Sequence, residues 1–346
     1  VKGFKTTEGS PLYSGRVAQK DDQMVARLRA AGALFIGKTN TPEFGLGSNT
    51  FNPVYGKTKN PYDLSKTCGG SSGGAAVALA TRMLSISDGS DMMGSLRNPA
   101  AWNNIYGLRP TWGLVPPEPT GEMFLSQLST LGPMARSPKD LAMLLDVQAN
   151  RIENESFISS AKTFSNFTEE PIMKGIKVGW LGDWSGTLPF EDGLLDLSQE
   201  ALNEMSSLGA IIHDLKAPFA MNDIWTSWSD LRAWQISNGL NEIYEDLEMR
   251  QYLKPEAVWE IECGLSLSGQ DIYKSALKKS KWYNSASQLF EKFDLLVLPS
   301  TQVWPFDLAE IYPVSINNQD MDTYHRWMQV TIPAGLLGLP VVNIPI

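Results

Sequence analysis

Cysteine is almost absent: Cys68 and Cys263 are the only two in 346 residues. A disulfide framework needs more candidate pairs than this, so a stapled secreted scaffold is set aside and a reducing, cytoplasmic compartment is expected. Histidine is equally scarce. His213 and His325 are the only two, which leaves little choice of partner for a serine–histidine hydrolytic pair. No apolar run reaches the roughly 18 to 20 residues that a bilayer-crossing helix needs. No window is dense in lysine and arginine, and the formal net charge is −9. A nucleic-acid partner is therefore disfavoured on electrostatic grounds. Internal repeats and low-complexity tracts are missing too.

What is present is a globular composition, 42% hydrophobic and 19% charged, with enough chain to bury a large core. Asp21–Asp22 precede a helical pattern of Met24, Val25, Leu28 and Ala31, and the apolar run Ala33–Ile36 then reads as a buried strand. Ala75 to Met83 suits a buried helix of small residues. Asn98–Pro99 read as the start of a short helix that Gly107 would stop, and Ser137–Pro138 open another. Residues 150–170 are polar and read as a surface connection. Lys177–Leu181, Leu194–Leu208 and Ala210–Leu215 give a β-α-β pattern, and Leu295–Leu298 is a further apolar strand. Between Trp225 and Phe293 helical periodicity dominates, with tryptophans at 225, 228 and 234 as candidates for core or pocket lining.

Chemistry concentrates in two glycine-rich segments that carry serines. Cys68-Gly69-Gly70-Ser71-Ser72-Gly73-Gly74 comes first, and Asp88-Gly89-Ser90-Asp91-Met92-Met93-Gly94-Ser95-Leu96-Arg97-Asn98-Pro99 follows. Ser71 and Ser72 fall at a helix N-terminus, and Ser95 falls in the loop before a short helix. Glycine lets backbone amides approach a ligand closely, and a serine among such amides can attack a carbonyl while N–H groups hold the resulting oxyanion. That is equipment for acyl transfer. Neither His213, in a predicted strand, nor His325, in a Tyr-His-Arg segment, is accompanied by glycine-rich backbone. A lysine-activated serine is the alternative.

These two blocks, with Gly107-Leu108-Arg109-Pro110-Thr111, closely resemble the amidase signature family. Weaker echoes are Gly37-Lys38-Thr39-Asn40-Thr41-Pro42-Glu43-Phe44, Asn60-Pro61-Tyr62, Leu131-Gly132-Pro133-Met134-Ala135-Arg136-Ser137 and Gly338-Leu339-Pro340. The similarity runs along essentially the whole chain and is densest between about residues 35 and 140. It implies a single α/β domain over residues 1–346, with a central mixed β-sheet covered by helices on both faces and a variable helical substrate region at about 220–293.

The resemblance also implies a Ser-cisSer-Lys hydrolase of linear amides that works through an acyl-enzyme, without metal or organic cofactor. Ser95 matches the nucleophile and Ser71 the bridging serine that follows a cis peptide bond from Gly70. The oxyanion would be held by backbone amides of Met92, Met93 and Gly94. Met93 stands where the commoner pattern has a second glycine. Ser72 is expected to bond within the site, and Asp91 and Arg97 to brace the loop. Matching Val1-Lys2-Gly3-Phe4-Lys5-Thr6-Thr7 to the family places the catalytic lysine about four residues before Val1, so the chain reads as truncated at both ends. The implied partner is a small-molecule amide substrate. Assembly is left open, a homodimer included. Two rivals stand: an amidotransferase component that supplies ammonia, and a binding protein that kept the scaffold without the base. The Met92-Met93 loop and Leu114-Val115-Pro116 do not follow the usual amidotransferase sequence.

Overall fold

The structure is a computed structural model that describes residues 1–118, 122, 124–149, 163–167 and 173–346. In chain order it runs α1 (Gln23–Ala30), a two-residue ladder of β1 (Phe51–Asn52) and β2 (Gly56–Lys57), α2 (Gly73–Ala80), β3 (Ile86–Asp91), α3 (Asn98–Trp102), β4 (Tyr106–Arg109), β5 (Thr130–Ala135) and α4 (Pro138–Gln148). Then come β6 (Lys177–Trp180), α5 (Leu194–Ser207), β7 (Ile211–Asp214), α6 (Met221–Glu245), α7 (Leu247–Arg250), α8 (Pro255–Ser266), α9 (Gly269–Phe290) and β8 (Leu295–Val297). A second small ladder, β9 (Ser315–Ile316) and β10 (Gln319–Asp320), precedes α10 (Ile332–Leu337) and β11 (Val341–Asn343).

Helix starts follow local chemistry. The Asp22 side chain accepts from the Val25 amide at 2.9 Å and the Ser137 hydroxyl accepts from the Asp140 amide at 3.1 Å. Each satisfies an N–H that a first turn leaves without a partner. Ser268 and Asp271 cap α9 reciprocally.

The expected α/β class is what the structure has, but the strands fall into separate hydrogen-bonded sheets. One has the order β11-β4-β5-β3 and is antiparallel throughout; the other, β7-β6-β8, is parallel. The second is the β-α-β pattern closed by the apolar strand at 295. The first is built from segments with little β-propensity, such as Ile86-Ser87-Asp88-Gly89-Ser90-Asp91, and pairing with β5 alone makes them strands.

Two expectations are corrected here. Ala33–Ile36 forms no strand, and Leu34 and Ile36 lie 91% and 74% exposed. Only Ala33 and Phe35 turn inward, onto Met24, Leu28 and Leu144, so the run has one buried face and no ladder partner. Gly107 does not stop a helix: α3 ends at Trp102, and Gly107 sits in β4 opposite Met134. The polar connection expected over 150–170 lies largely outside the described residues.

The largest core cluster joins Trp184, Trp225, Trp228, Trp282 and Trp327 to Met93, Met328 and Leu336, so the tryptophans at 225 and 228 are core. Trp234 is half-buried. A smaller cluster of Ala75, Ala76, Leu79, Leu96, Ala100, Ile105 and Met134 packs α2 and α3 onto the antiparallel sheet. Small side chains on α2 permit that close approach. Where α8 crosses α6, Gly264 faces the Ala233 carbonyl oxygen, and a Cβ placed there would lie 2.1 Å from it. Gly264→Ala is therefore expected to lower unfolding stability by about 1–3 kcal/mol, through separation of the two helices. A guanidinium melt compared with wild type checks this; an unchanged midpoint would refute the packing argument.

Candidate active site

Strand β3 delivers the site. It ends at Asp91, the chain turns through residues 92–95, and α3 begins at Asn98. The turn requires Gly94, whose φ is +92° and whose missing Cβ would stand 2.9 Å from Thr331 Cγ2. Met93, by contrast, is not among the residues with positive φ. Its side chain packs into the large core, so a methionine at this place is accommodated without left-handed backbone.

Asp91 is completely buried and organises the turn. Its carboxylate accepts from the amides of Gly94 (2.7 Å) and Leu96 (3.2 Å), and from Nε and Nη2 of Arg97 (both 2.9 Å). Arg97 in turn donates Nη1 to the Thr331 carbonyl at 2.6 Å. Arg109 donates to the Asp91 carbonyl at 3.1 Å and to the carbonyls of Leu128 and Gly335. Burial alone would raise the Asp91 carboxyl. The charge and hydrogen bonds of Arg97, assisted by Arg109 and the Gly94 amide, outweigh it and lower the group from 3.8 to about 2.

The first serine block is laced to this turn. The Gly70–Ser71 peptide is cis, as the family resemblance implies. The Gly70 amide donates to Asn98 Oδ1 at 3.2 Å, and the Ser72 amide donates to the Ser95 carbonyl at 3.4 Å. The Ser72 hydroxyl bonds both the amide and the carbonyl of Ser90, at 3.3 and 3.4 Å. Thr50 Oγ1 donates to the Gly69 carbonyl at 2.7 Å, which fixes the turn from behind.

Ser71 and Ser95 therefore lie on segments that are hydrogen-bonded to each other, 6% and 8% exposed. Among the described residues neither hydroxyl has a hydrogen-bond partner, and neither is sealed from accessible space. The amides of Met93 and Ser95 are likewise without a partner among the described residues, whereas the Gly94 amide is committed to Asp91. This shifts the expected set of oxyanion donors: of Met92, Met93 and Gly94, it is Gly94 whose N–H is already spent. The Ser95 amide, in the same loop, has no partner among the described residues.

Other candidates lie elsewhere. His213 is exposed on β7 against Phe293, with ring centroids 5.4 Å apart. His325 is buried between Trp225 and Trp228, its Nδ1 2.8 Å from Thr323 Oγ1. Burial holds it well below the ordinary histidine range. Cys68 is fully buried, and that burial pushes its thiol up to about 12, far from a reactive thiolate. Lys38 Nζ bonds Thr6 Oγ1 at 2.8 Å and Lys57 Nζ bonds the Leu308 carbonyl at 2.7 Å. Among the described residues no lysine hydrogen-bonds Ser71 or Ser95.

Sequence reading missed Asn98, Arg109 and Thr331 as parts of the site. Arg109 belongs to the Gly-Leu-Arg-Pro-Thr echo, which is a signal that could have found it. Thr331 is 234 residues from the arginine it binds and carries no local signal.

Comparison with known proteins finds relatives along the whole chain. A family model described as Amidase matches residues 1–346. The chain is 32% identical to the A-type component of a glutamyl-tRNA(Gln) amidotransferase from Thermus thermophilus, covering all of this chain and 75% of the relative. It is 30% identical to the corresponding component from Alkaliphilus metalliredigens, with 100% and 73% coverage. Among solved structures, one titled as an amidase superposes with a TM-score of 0.82 at 26% identity, over 99% of this chain and 74% of that one. A bacterial aryl acylamidase gives a TM-score of 0.88 at 24% identity, over 99% and 73%, and shares the fold.

Asp91→Asn leaves the buried Arg97 charge without its counter-ion and is expected to cost roughly 3–5 kcal/mol at neutral pH. Because the folded pKa of about 2 lies below the unfolded value, this contribution is complete above about pH 4 and is lost as pH falls through about 2. Denaturant melts at several pH values should show the gap between wild type and variant narrowing over that window by about 2 kcal/mol. A gap that stays constant with pH would contradict the ion pair.

Proposed function

The chain belongs to the amidase family, and from that premise we propose that it hydrolyses a linear carboxylic amide through an acyl-enzyme on Ser95. The observation that supports this reading is that the Ser71 and Ser95 hydroxyls, both without a hydrogen-bond partner, lie on two segments joined by the Ser72 amide and the Ser95 carbonyl, in a loop whose Met93 and Ser95 amides are also without a partner among the described residues. Ser95 Oγ attacks the substrate carbonyl as its proton passes to Ser71, and from Ser71 to the lysine base that the family resemblance implies. A lysine can take that proton near neutral pH only if burial lowers its pKa. The tetrahedral oxyanion lies against the Met93 and Ser95 amides, each donor contributing on the order of 3–4 kcal/mol to the transition state. The tetrahedral intermediate collapses as the C–N bond breaks, and the proton held by the relay passes to the departing nitrogen. Ammonia or an amine leaves, and water then releases the acid from Ser95 by the reverse proton path.

What supports a rigid, prearranged loop is the Asp91–Arg97 pair beside it: one carboxylate holds the amides of Gly94 and Leu96 and leaves those of Met93 and Ser95 without a partner among the described residues. A second reading, an amidotransferase component that supplies ammonia, is favoured by the names of the curated relatives. Glutaminase activity together with copurification of partner proteins would select it.

Ser95→Ala is expected to lower amide turnover by at least about 10⁴-fold, and Ser71→Ala by about 10³-fold or more. The measurement is release of ammonia or amine from a panel of linear amides, with the intact mass after treatment with a fluorophosphonate as an independent readout. Wild type should gain one adduct, located on Ser95, and Ser95→Ala none. Undiminished turnover in Ser95→Ala would overturn the assignment.

A further inference from the structure

Behind the loop lies a buried polar cluster that the reaction above does not use. Arg232 on α6 is 5% exposed and forms an ion pair through Nε with Glu260 Oε1 on α8. Its Nη2 lies 3.2 Å from Glu260 Oε2 and 2.9 Å from the Tyr324 hydroxyl, which itself donates to Glu260 Oε2 at 2.6 Å. That leaves Nη1, which donates to the thioether sulfur of Met92 at 3.0 Å. Trp228 stands beside the guanidinium, 5.3 Å from ring centroid to Cζ. Glu260 is 1% and Tyr324 7% exposed.

A guanidinium held on three sides is a fixed donor, and a thioether is a weak but directional acceptor. Met92 is the first residue after Asp91, in the loop that carries the uncommitted Met93 and Ser95 amides. Its main chain follows the Asp91 carbonyl, already held by Arg109, while its side chain is held by Arg232. Met93 next to it is anchored in the core.

Resting on the amide-hydrolase reading above, we infer that Arg232 is a positioning residue for the reaction. By holding the Met92 sulfur it orients the peptide planes that present the Met93 and Ser95 amides to the oxyanion. Arg232 does not touch the reacting atoms; it acts through Met92, and thereby links the helical region of residues 221–266 to the nucleophile loop. A slightly rotated amide costs transition-state binding and leaves substrate binding nearly intact, so the effect falls on kcat.

The test is a double-mutant cycle on the full chain. Arg232→Gln should lower kcat about 10-fold with KM changed less than about 2-fold, and in a Met92→Leu background the same substitution should change kcat less than about 2-fold. Equal kcat losses in both backgrounds would overturn the inference, as would a drop in Tm with unchanged kcat per folded molecule. If Arg232→Gln does not fold, Met92→Leu decides alone: a several-fold fall in kcat at unchanged Tm supports the inference, and unchanged kcat overturns it. Absence of both turnover and Ser95 labelling in wild type would instead sink the amide-hydrolase reading. The contact itself is then read from the methyl resonance of Met92 in protein labelled with ¹³C-methyl methionine. That signal moves in Arg232→Gln if the guanidinium holds the sulfur, and stays in place if it does not.

Discussion

One buried carboxylate carries the arrangement of the site. Asp91 ends a strand, receives two amides of the following turn and pairs bidentately with Arg97, all without access to water. An unpaired charge at that depth would cost several kcal/mol, so the arginine and the two amides are not decorations but conditions for the carboxylate to be ionised there. Because a planar guanidinium and a planar carboxylate meet in one geometry, the turn has little freedom left. The Met93 and Ser95 amides, which Asp91 does not take, have no partner among the described residues. A single electrostatic requirement thus sorts the backbone donors of the loop into structural and available.

The second constraint is proximity of two segments that are separate in sequence. The segment of Ser71 is joined to that of Ser95 because Ser72 bonds Ser90 through its hydroxyl and Ser95 through its amide, while Asn98 holds Gly70. Every one of these contacts uses backbone or a short polar side chain. That explains why both blocks are rich in glycine and serine: larger side chains would hold the strands apart. The small-residue helix α2 continues the same logic, seating the first block against the antiparallel sheet through alanine and leucine.

Legibility varied with the kind of signal. The β-α-β unit was readable because Lys177–Leu181 and Leu295–Leu298 carry short apolar runs and Leu194–Leu208 carries a helical period closed by Gly209, even though β7 stays largely exposed. The helix starts at Asp22 and Ser137 were readable because a cap is a local event. Strand β3 was not, since Ser-Asp-Gly-Ser-Asp has no alternation and is extended only because β5 lies beside it. Ala33–Ile36 misled for the opposite reason: apolar residues suggest a strand, yet no neighbouring strand pairs with them. His325 carried no glycine-rich context in sequence, and its burial among tryptophans follows from α6 and the segment before α10 meeting at long range.

What the sequence determined by itself was which groups are at hand: serine hydroxyls in glycine-rich segments, an acidic residue and an arginine six positions apart, and two histidines only. These are matters of residue type and short spacing, and they survive without coordinates. Only the tertiary structure decided which amides remain free, that Gly94 is spent on Asp91, that Met93 turns into the core and that Arg232 reaches Met92 across 140 positions. Those outcomes depend on which groups compete for a partner in a space closed to water, and that competition is settled only once distant segments have packed together.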